Sequence, residues 1–167
     1  YANASHFQAL LLHLGFDARL CGADMSRPDV HAVNIVTIDS REYLVDVGYG
    51  APLATPFPLD TEVDLTVEFA DDCYLLHPRN SDRTSRLDHL RHGSLIHGYT
   101  VKPAPRTPGF FTPVTIESFR PEAEFKNTIT LARYSARASV IIRSGQGLAV
   151  LWMEGRSGRE RNLTQSA

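Results

Sequence analysis

The spacing of apolar residues along the chain changes early from a helical repeat to strand-like alternation. Residues 3–13 predict a helix whose apolar stripe is formed by Phe7, Leu10, Leu11 and Leu14, and Gly15 follows where a helix cap is expected. Later segments predict strands at 16–25, 31–38, 43–49, 64–69, 73–77, 97–101, 114–119, 127–131, 139–143 and 148–153. One N-terminal helix followed by strands indicates an α+β fold with a mostly antiparallel β-sheet or barrel.

Prolines divide the predicted strands into two groups. Pro103, Pro105 and Pro108 mark the best candidate for a linker. The pattern therefore predicts a core of helix plus β-barrel in residues 1–102 and a β-rich C-terminal lobe in residues 103–167. In that lobe, the last two predicted strands form a hairpin around residues 144–147.

A histidine and an aspartate lie on neighbouring predicted strands. His31 opens the run 31–38, and Asp46 lies inside the apolar run 43–49. An ionised carboxylate between apolar neighbours costs free energy unless a charged or hydrogen-bonding group meets it, and histidine is the partner most useful to an enzyme. The two positions are therefore the best candidates for chemistry in the chain.

The register of this predicted hairpin decides whether the two side chains meet. A tight two-residue turn at positions 39–40 pairs Ile38 with Arg41. His31 and Asp46 are then diagonal neighbours on one face, roughly 7–8 Å apart at the backbone. A slip of one residue would place them on opposite faces of the sheet.

Composition narrows the class of protein. The 167 residues, 43% hydrophobic and 22% charged, fit one globular domain or a large part of one. A net charge of −2 provides no basic field for nucleic acid or an anionic membrane, and no apolar run reaches the roughly 20 residues of a membrane helix. The two cysteines lack the spacing of a disulfide framework or a metal site, which predicts a cytoplasmic protein.

Several motifs follow one another in a recognisable order over about the first 60 residues. They are Phe7, a helix that ends in Leu-Gly-Phe at 14–16, His31, and the run Tyr-Leu-Val-Asp-Val-Gly-Tyr-Gly at 43–50 before a Pro-Leu-rich loop. This order closely resembles the arylamine N-acetyltransferases. The resemblance implies a cysteine-protease-like (transglutaminase-like) core and an enzyme without a metal. Such an enzyme moves acetyl from acetyl-CoA to an aromatic amine or hydrazine through a Cys-His-Asp triad.

The resemblance also implies roles for individual residues. His31 and Asp46 correspond to the histidine and aspartate of the triad. The positions that correspond to the wall of the acyl and amine pocket are Tyr49, Gly48, Gly50 and Met25. Residues 1–102 would then be part of a catalytic core.

Each of these assignments has a structural alternative. His31 could be a hydrogen-bonded core histidine, Tyr49 a core tyrosine beside a β-bulge, and Met25 a filler of the core. After Gly50 the chain continues with Ala-Pro-Leu instead of the glycine-rich segment common in the family. The resemblance therefore leaves the contacts to coenzyme A open.

The nucleophile is the part of the family pattern that is missing. In the family it belongs to an Arg-Gly-Gly-x-Cys motif, and counting back from Phe7 and Phe16 places it immediately before Tyr1. Cys21 is interpreted as a small buried strand residue, and acidic neighbours disfavour a thiolate at Cys73. We therefore expect a fragment that lacks the family's upstream helical lobe, and no acyl transfer by this chain alone.

Two classes of function follow from these observations. The first is an acyltransferase of the arylamine N-acetyltransferase type, or a related amide synthase that transfers a different acyl chain. The second is a catalytically inactive homologue or fragment that acts as a ligand-binding or partner-binding module. An in-frame Arg-Gly-Gly-x-Cys upstream of Tyr1 would favour the first class. The sequence predicts no particular oligomeric state.

Three further histidines lie close together in the sequence. His89, His92 and His97 could suggest a metal cluster, but Arg91 stands between the first two and no cysteine is near. We interpret all three as solvated surface histidines.

Overall fold

The computed structural model describes residues 1–69, 72–134, 138–144, 148–154 and 157–163. The chain forms two compact units, one of residues 1–67 with 72–112 and one of residues 68–71 with 113–167. The division between residues 102 and 103 stays a prediction. None of the helices in the described ranges is long and apolar enough to cross a membrane.

Helix α1, Ala2–His13, confirms the helix predicted at 3–13. It ends in a Schellman motif, in which the Phe16 N–H donates to the Leu11 carbonyl at 3.0 Å. Gly15 lies in the middle of this motif with a φ of +88°, the left-handed region that favours glycine. The cap predicted from Gly15 is therefore confirmed.

One sheet of eight strands follows α1 in the chain. Its strands are β1 (Asp17–Asp24), β2 (His31–Ile38), β3 (Arg41–Val45), β4 (Phe57–Pro58), β5 (Leu65–Phe69), β6 (Asp72–Leu76), β7 (Ser85–Arg91) and β8 (Ser94–Pro105). Their spatial order is β4-β3-β2-β1-β8-β7-β6-β5, and the pairs from β4 to β6 are antiparallel. The predicted α+β fold with a mostly antiparallel sheet is confirmed.

The hairpin of β2 and β3 has the predicted register. Ile38 pairs with Arg41 across a two-residue turn. Asp39 and Ser40 have φ values of 49° and 63°, as both central residues of a type I′ turn require. Strand β3 ends one residue before Asp46, so the aspartate follows the strand instead of lying inside it.

The two faces of the sheet bury different partners. The inner face carries the main core, whose members are Cys21, Ala23, Val33, Ile35, Leu44, Phe57, Leu59, Tyr74, Leu76, Leu87, Tyr99 and Val101. The outer face packs on α1 through Ala4, Leu20 and Ala32. Asn34, also on the outer face, donates its side-chain amide to the Ala4 carbonyl at 3.0 Å. The predicted apolar stripe of α1 is only partly covered, because Phe7 and Leu11 are half-buried whereas Leu10 and Leu14 are exposed.

Two predictions of secondary structure were incomplete or wrong. Strand β7 was missed because its buried alternate positions, which include Ser85 and His89, lie between charged residues. Residues 114–119, predicted as a strand from their β-branched side chains, lie mostly in helix α2, Thr112–Ser118. Pro113 occupies the start of that helix, where its fixed φ and missing N–H are tolerated.

The second unit contains a separate four-stranded sheet. Its elements after α2 are α3 (Glu124–Asn127), β9 (Thr130–Tyr134), β10 (Ala138–Ser144), β11 (Leu148–Glu154) and β12 (Ser157–Leu163). The strand order is β12-β11-β10-β9. Ser144 pairs with Leu148, which confirms the hairpin predicted for β10 and β11. The centre of its predicted turn, residues 145–147, lies outside the described residues.

Candidate active site

His31 and Asp46 meet at one end of the inner face of the sheet. His31 Nε2 lies 2.7 Å from Asp46 Oδ2, and the two side chains are only 12% and 1% exposed. The other carboxylate oxygen, Oδ1, accepts the backbone N–H groups of Gly48 at 2.8 Å and Tyr49 at 3.0 Å. Both oxygens of the buried carboxylate are thus satisfied, and the predicted pairing of the two side chains is confirmed.

The backbone after Asp46 is shaped by two glycines. A Cβ at Gly48 would lie 3.6 Å from His31 Cε1 and 3.7 Å from Asp46 Oδ1, so the glycine leaves this side of the pair uncovered. Gly50 has a φ of +73°, which a side chain would strain. Gly48 therefore leaves space beside the pair, and Gly50 allows the turn that follows.

Tyr49 forms an aromatic wall beside the pair. Its ring centroid lies 5.9 Å from that of His31 and 5.0 Å from that of Tyr99. The Tyr49 hydroxyl bonds to Nδ1 of His97. Burial, together with the negative charge of Asp46, raises the pKa of Tyr49, so the phenol keeps its proton at neutral pH.

Tyr99 was not singled out in the sequence. It lies on β8 with its ring centroid 4.9 Å from that of His31. Complete burial, and then the negative charge of Asp46, hold the pKa of Tyr99 well above its ordinary value. The alternation within residues 97–101 was the available signal, since it places Tyr99 on the inner face.

A second histidine–aspartate pair lies on β6 and β7. His89 Nε2 is 2.9 Å from Asp72 Oδ1, and the two side chains are 8% and 5% exposed. Arg91 donates to the same carboxylate through Nε at 2.7 Å and through Nη2 at 3.1 Å. Burial opposes ionisation, but the hydrogen bonds from His89 and Arg91 lower the pKa of Asp72 to about 2.

The interpretation of His89 as a solvated surface histidine was wrong. It lies on the inner face of the missed strand β7, where its ring stacks on Tyr74 at 4.6 Å between centroids. His92 and His97 are exposed. In the part of the chain that the structure describes, no three or more His, Cys, Asp or Glu residues form a group able to hold a metal ion.

The other predicted site positions lie at strand ends or in the core. Met25 directly follows β1 and is 38% exposed, so its interpretation as a core filler was wrong. Cys21 is fully buried in the main core, as expected, and burial raises the pKa of its thiol to about 11. Cys21 therefore lacks the properties of an activated nucleophile. Cys73 is half-buried on β6 opposite Leu90.

The opposite end of the inner face is closed by an ion-pair cluster. Glu42 on β3 accepts from Arg19 on β1, and its other carboxylate oxygen lies 2.6 Å from Arg79 Nη1 and 3.2 Å from Arg83 Nη2. Burial opposes ionisation, but the hydrogen bonds from Arg19 and Arg79 lower the pKa of Glu42. This cluster is at the far end of β2 from His31.

The start of α1 is fixed beside the strand that carries His31. The Tyr1 hydroxyl donates to the Val30 carbonyl at 2.8 Å, and the Tyr1 ring stacks on Phe111 with centroids 5.4 Å apart. The first turn of the helix is therefore held next to the first residue of β2.

Comparison with known proteins assigns the chain to a family. A model of the family described as N-acetyltransferase matches residues 1–166. The chain belongs to this N-acetyltransferase family. The family predicted from the sequence is thus confirmed. A search of curated proteins gave no match.

Solved structures of arylamine N-acetyltransferases share the fold of this family member. The enzyme from Mycobacterium abscessus has a TM-score of 0.76 at 18% identity, over 95% of this chain and 59% of that chain. The enzyme from Mycobacterium marinum, solved in complex with CoA, has a TM-score of 0.73 at 22% identity, over 94% and 60%. The enzyme from Bacillus cereus, described as having a unique Cys-His-Glu catalytic triad, has a TM-score of 0.72 at 14% identity, over 98% and 66%.

The chain therefore spans only about three-fifths of the first two of these structures. The likeness shows that the helix and the eight-stranded sheet of this family member follow the fold of those enzymes.

Proposed function

We propose that this chain carries the histidine and aspartate of an arylamine N-acetyltransferase. The enzyme would move acetyl from acetyl-CoA to an aromatic amine or hydrazine through a Cys-His-Asp triad, in the cytoplasm. The observation that supports this function best is the bond of 2.7 Å between His31 Nε2 and Asp46 Oδ2 in a nearly buried site. Acetyl-CoA is the proposed donor because of the family and because the Mycobacterium marinum structure is a CoA complex.

The pair is built to support a thiol nucleophile. Asp46 accepts the Nε2–H of His31, so the neutral ring presents Nδ1 as a proton acceptor. When Nδ1 takes the thiol proton, the carboxylate stabilises the imidazolium that forms. The thiolate attacks the acetyl thioester, and the coenzyme A thiolate leaves with the proton of the imidazolium. The amine then attacks the acetyl-cysteine, the cysteine thiolate leaves, and His31 takes the proton of the amine.

The proposed place of that cysteine is the N-terminal end of α1. Tyr1 is anchored to the Val30 carbonyl, one residue before His31. A thiol immediately before Tyr1 would therefore stand near His31 and at the positive end of the helix dipole, which favours a thiolate. Neither Cys21 nor Cys73 is proposed for this role, since the first lies in the core and the second is paired with β7.

The proposed acyl and amine pocket lies around the turn that follows Asp46. Tyr49 supplies an aromatic surface beside His31, and Gly48 and Gly50 let the ligand approach the backbone. Met25, exposed after β1, is the remaining candidate for the pocket wall.

The test uses the full-length protein that contains this chain. We expect it to acetylate an aromatic amine or hydrazine from acetyl-CoA with ping-pong kinetics. His31→Gln should lower kcat/KM by at least about 10³-fold. His92→Asn, a change at an exposed histidine outside the site, is the matched control. A His31→Gln variant as active as the wild type would refute the triad, and a protein that binds the ligands without turnover would favour the binding module.

A further inference from the structure

The first turn of helix α1 is bound to strand β2 and the residue before it by two hydrogen bonds. The Tyr1 hydroxyl donates to the Val30 carbonyl at 2.8 Å. The side-chain amide of Asn34 donates through Nδ2 to the Ala4 carbonyl at 3.0 Å. Val30 lies one residue before His31, and Asn34 lies three residues after it. We propose that Asn34 is a positioning residue, which fixes the first turn of α1 along β2 and thereby sets the distance from the nucleophilic cysteine to His31.

Asn34 is an unusual side chain for its surroundings. It is fully buried between α1 and the outer face of the sheet. Its Oδ1 atom has no hydrogen-bond partner among the residues that the structure describes. A buried acceptor without a partner costs free energy, whereas an apolar side chain of similar shape would not. Stability alone would therefore favour an apolar residue at this position.

The apolar packing around Asn34 does little to hold α1 at one place along the strand. The contacts involve Ala4 on the helix, Leu20 on β1 and Ala32 on β2. Helices interlock with their neighbours through ridges of side chains, and the two alanines end at Cβ. A hydrogen bond, by contrast, has a narrow range of distance and direction. A buried asparagine fixes the register of coiled coils in this way, at a cost in stability.

The place of the helix along β2 matters for the chemistry at its first residue. In the proposed enzyme, the thiol immediately before Tyr1 transfers its proton to His31, which requires a hydrogen-bond distance between them. The attraction between the thiolate and the imidazolium also weakens as their distance grows. A misplacement of about 1 Å can cost about 10²-fold in rate. The inference therefore rests on the proposed acyltransferase function.

A third bond of α1 provides a matched control. Gln8 Nε2 donates to the Ala18 carbonyl at 3.3 Å, one turn further along the helix than the bond to Ala4. This bond also joins a side-chain amide to a backbone carbonyl, but it connects the helix to β1 and not to the strand of His31. Its loss should leave the first turn of α1 in place.

The experiment measures acylation in the full-length protein, as the burst of coenzyme A released from acetyl-CoA. Asn34→Leu replaces the amide by an apolar group of similar shape, and Asn34→Ala removes it without any risk of overpacking. Each variant should lower the burst rate constant by about 10-fold. The acetyl-CoA concentration that half-saturates the burst should stay the same, because Asn34 lies on the face of the sheet away from the site.

The pKa of the thiol provides a second readout. It is measured as the pH dependence of inactivation by iodoacetamide, and in Asn34→Leu it should rise toward the ordinary value of about 8.5. The melting temperature of Asn34→Leu should be equal to that of the wild type or higher, because an unsatisfied buried oxygen is removed. A residue that only supported the fold would give the reverse, a lower melting temperature with an unchanged thiol pKa.

The remaining variants decide whether the effect belongs to the first turn of α1. Tyr1→Phe, which removes the other bond, should change the burst and the thiol pKa in the same direction as Asn34→Leu. Gln8→Met should leave both at their wild-type values. Unchanged acylation and thiol pKa in both Asn34 variants, or an equal loss in Gln8→Met, would overturn the inference. A wild-type protein that forms no acyl-enzyme would instead refute the proposed function, and the role of Asn34 with it.

Discussion

The two histidine–aspartate pairs of the first unit have similar geometry but different surroundings. The N–O distances are 2.7 Å for His31–Asp46 and 2.9 Å for His89–Asp72, and both carboxylates are nearly buried. The second oxygen of Asp46 accepts two neutral backbone N–H groups, whereas Asp72 also binds the guanidinium of Arg91. The negative charge of Asp46 is thus available to stabilise a protonated His31, whereas the charge of Asp72 is already paired with the permanent cation of Arg91.

The register of the two hairpins explains this difference. In both, the histidine is the diagonal neighbour of the aspartate, because Asp72 pairs with Arg91 and His89 with Tyr74. The register of β2 and β3 ends at the pair Asn34–Val45, and its continuation by one residue would set Val33 opposite Asp46. The position opposite the aspartate is thus apolar in the first pair and cationic in the second. Only in the second pair does the carboxylate also bind a cation.

The largest expected effect is the loss of activity when the aspartate of the first pair, but not of the second, is replaced. Asp46→Asn should lower kcat/KM for arylamine acetylation in the full-length protein by about 10³–10⁴-fold, because the amide favours the wrong tautomer of His31. Steady-state kinetics would measure this loss. If Asp72→Asn reduced the acylation half-reaction as strongly as Asp46→Asn, the distinction between the pairs would be wrong.

The second effect is on stability. Asp72→Asn should lower the free energy of unfolding by about 1–3 kcal/mol, because it leaves Arg91 and His89 without their charged acceptor. Urea denaturation followed by circular dichroism would measure it. Asp60→Asn, which breaks the exposed ion pair with Arg41, is the control, and its effect should be much smaller because solvent screens an exposed pair.

The third effect is a dependence on pH. The pKa of Asp72 is about 2 in the folded protein and 3.8 without the fold, so the folded state favours the ionised form. Its contribution is fully present above the unfolded pKa and is lost as the pH falls toward the folded pKa. The difference in unfolding free energy between wild type and Asp72→Asn should therefore shrink as the pH falls from about 5 to about 2. A difference that stays constant over this range would contradict a lowered pKa.

The smallest effect concerns Tyr99. Among the described residues its buried hydroxyl has no hydrogen bond of good geometry, although the Asp46 carboxylate lies close enough to raise the pKa of the phenol. Tyr99→Phe should therefore leave the melting temperature equal or slightly higher, since removal of an unsatisfied buried polar group is neutral or favourable. Calorimetry would measure this, and a loss of more than about 1 kcal/mol would show that the hydroxyl supports Asp46.

The sequence alone was sufficient to predict the His31–Asp46 pair but not the His89–Asp72 pair. The turn at 39–40 has a defined length, and counting outward from it placed His31 and Asp46 on one face. The second pair joins β6 to β7 across the longer connection 77–84, so no tight turn fixes its register, and β7 had not been recognised. Its inward residues include Ser85 and His89, so burial there comes from the folded sheet and not from apolar spacing.

Contacts between segments far apart in the chain could not be predicted from the sequence either. The approach of His97 to Tyr49 joins β8 to the turn after β3, two segments 48 residues apart. Such a contact follows from the order of strands in the sheet, which no local pattern contains. Helix α2 shows the opposite error, because β-branched side chains in 114–119 favoured a strand where the chain starts a helix at Thr112.

The left-handed turn at Asp39 and Ser40 places an unusual constraint on how this protein can diverge. Exchanges such as Ser40→Gly keep two residues in the turn and should be well tolerated. An insertion or deletion of one residue would reverse the parity of β3 and turn Asp46 away from His31 while the hairpin itself could still form. In lineages that keep the pair, the length of this turn should accordingly drift far less than its composition.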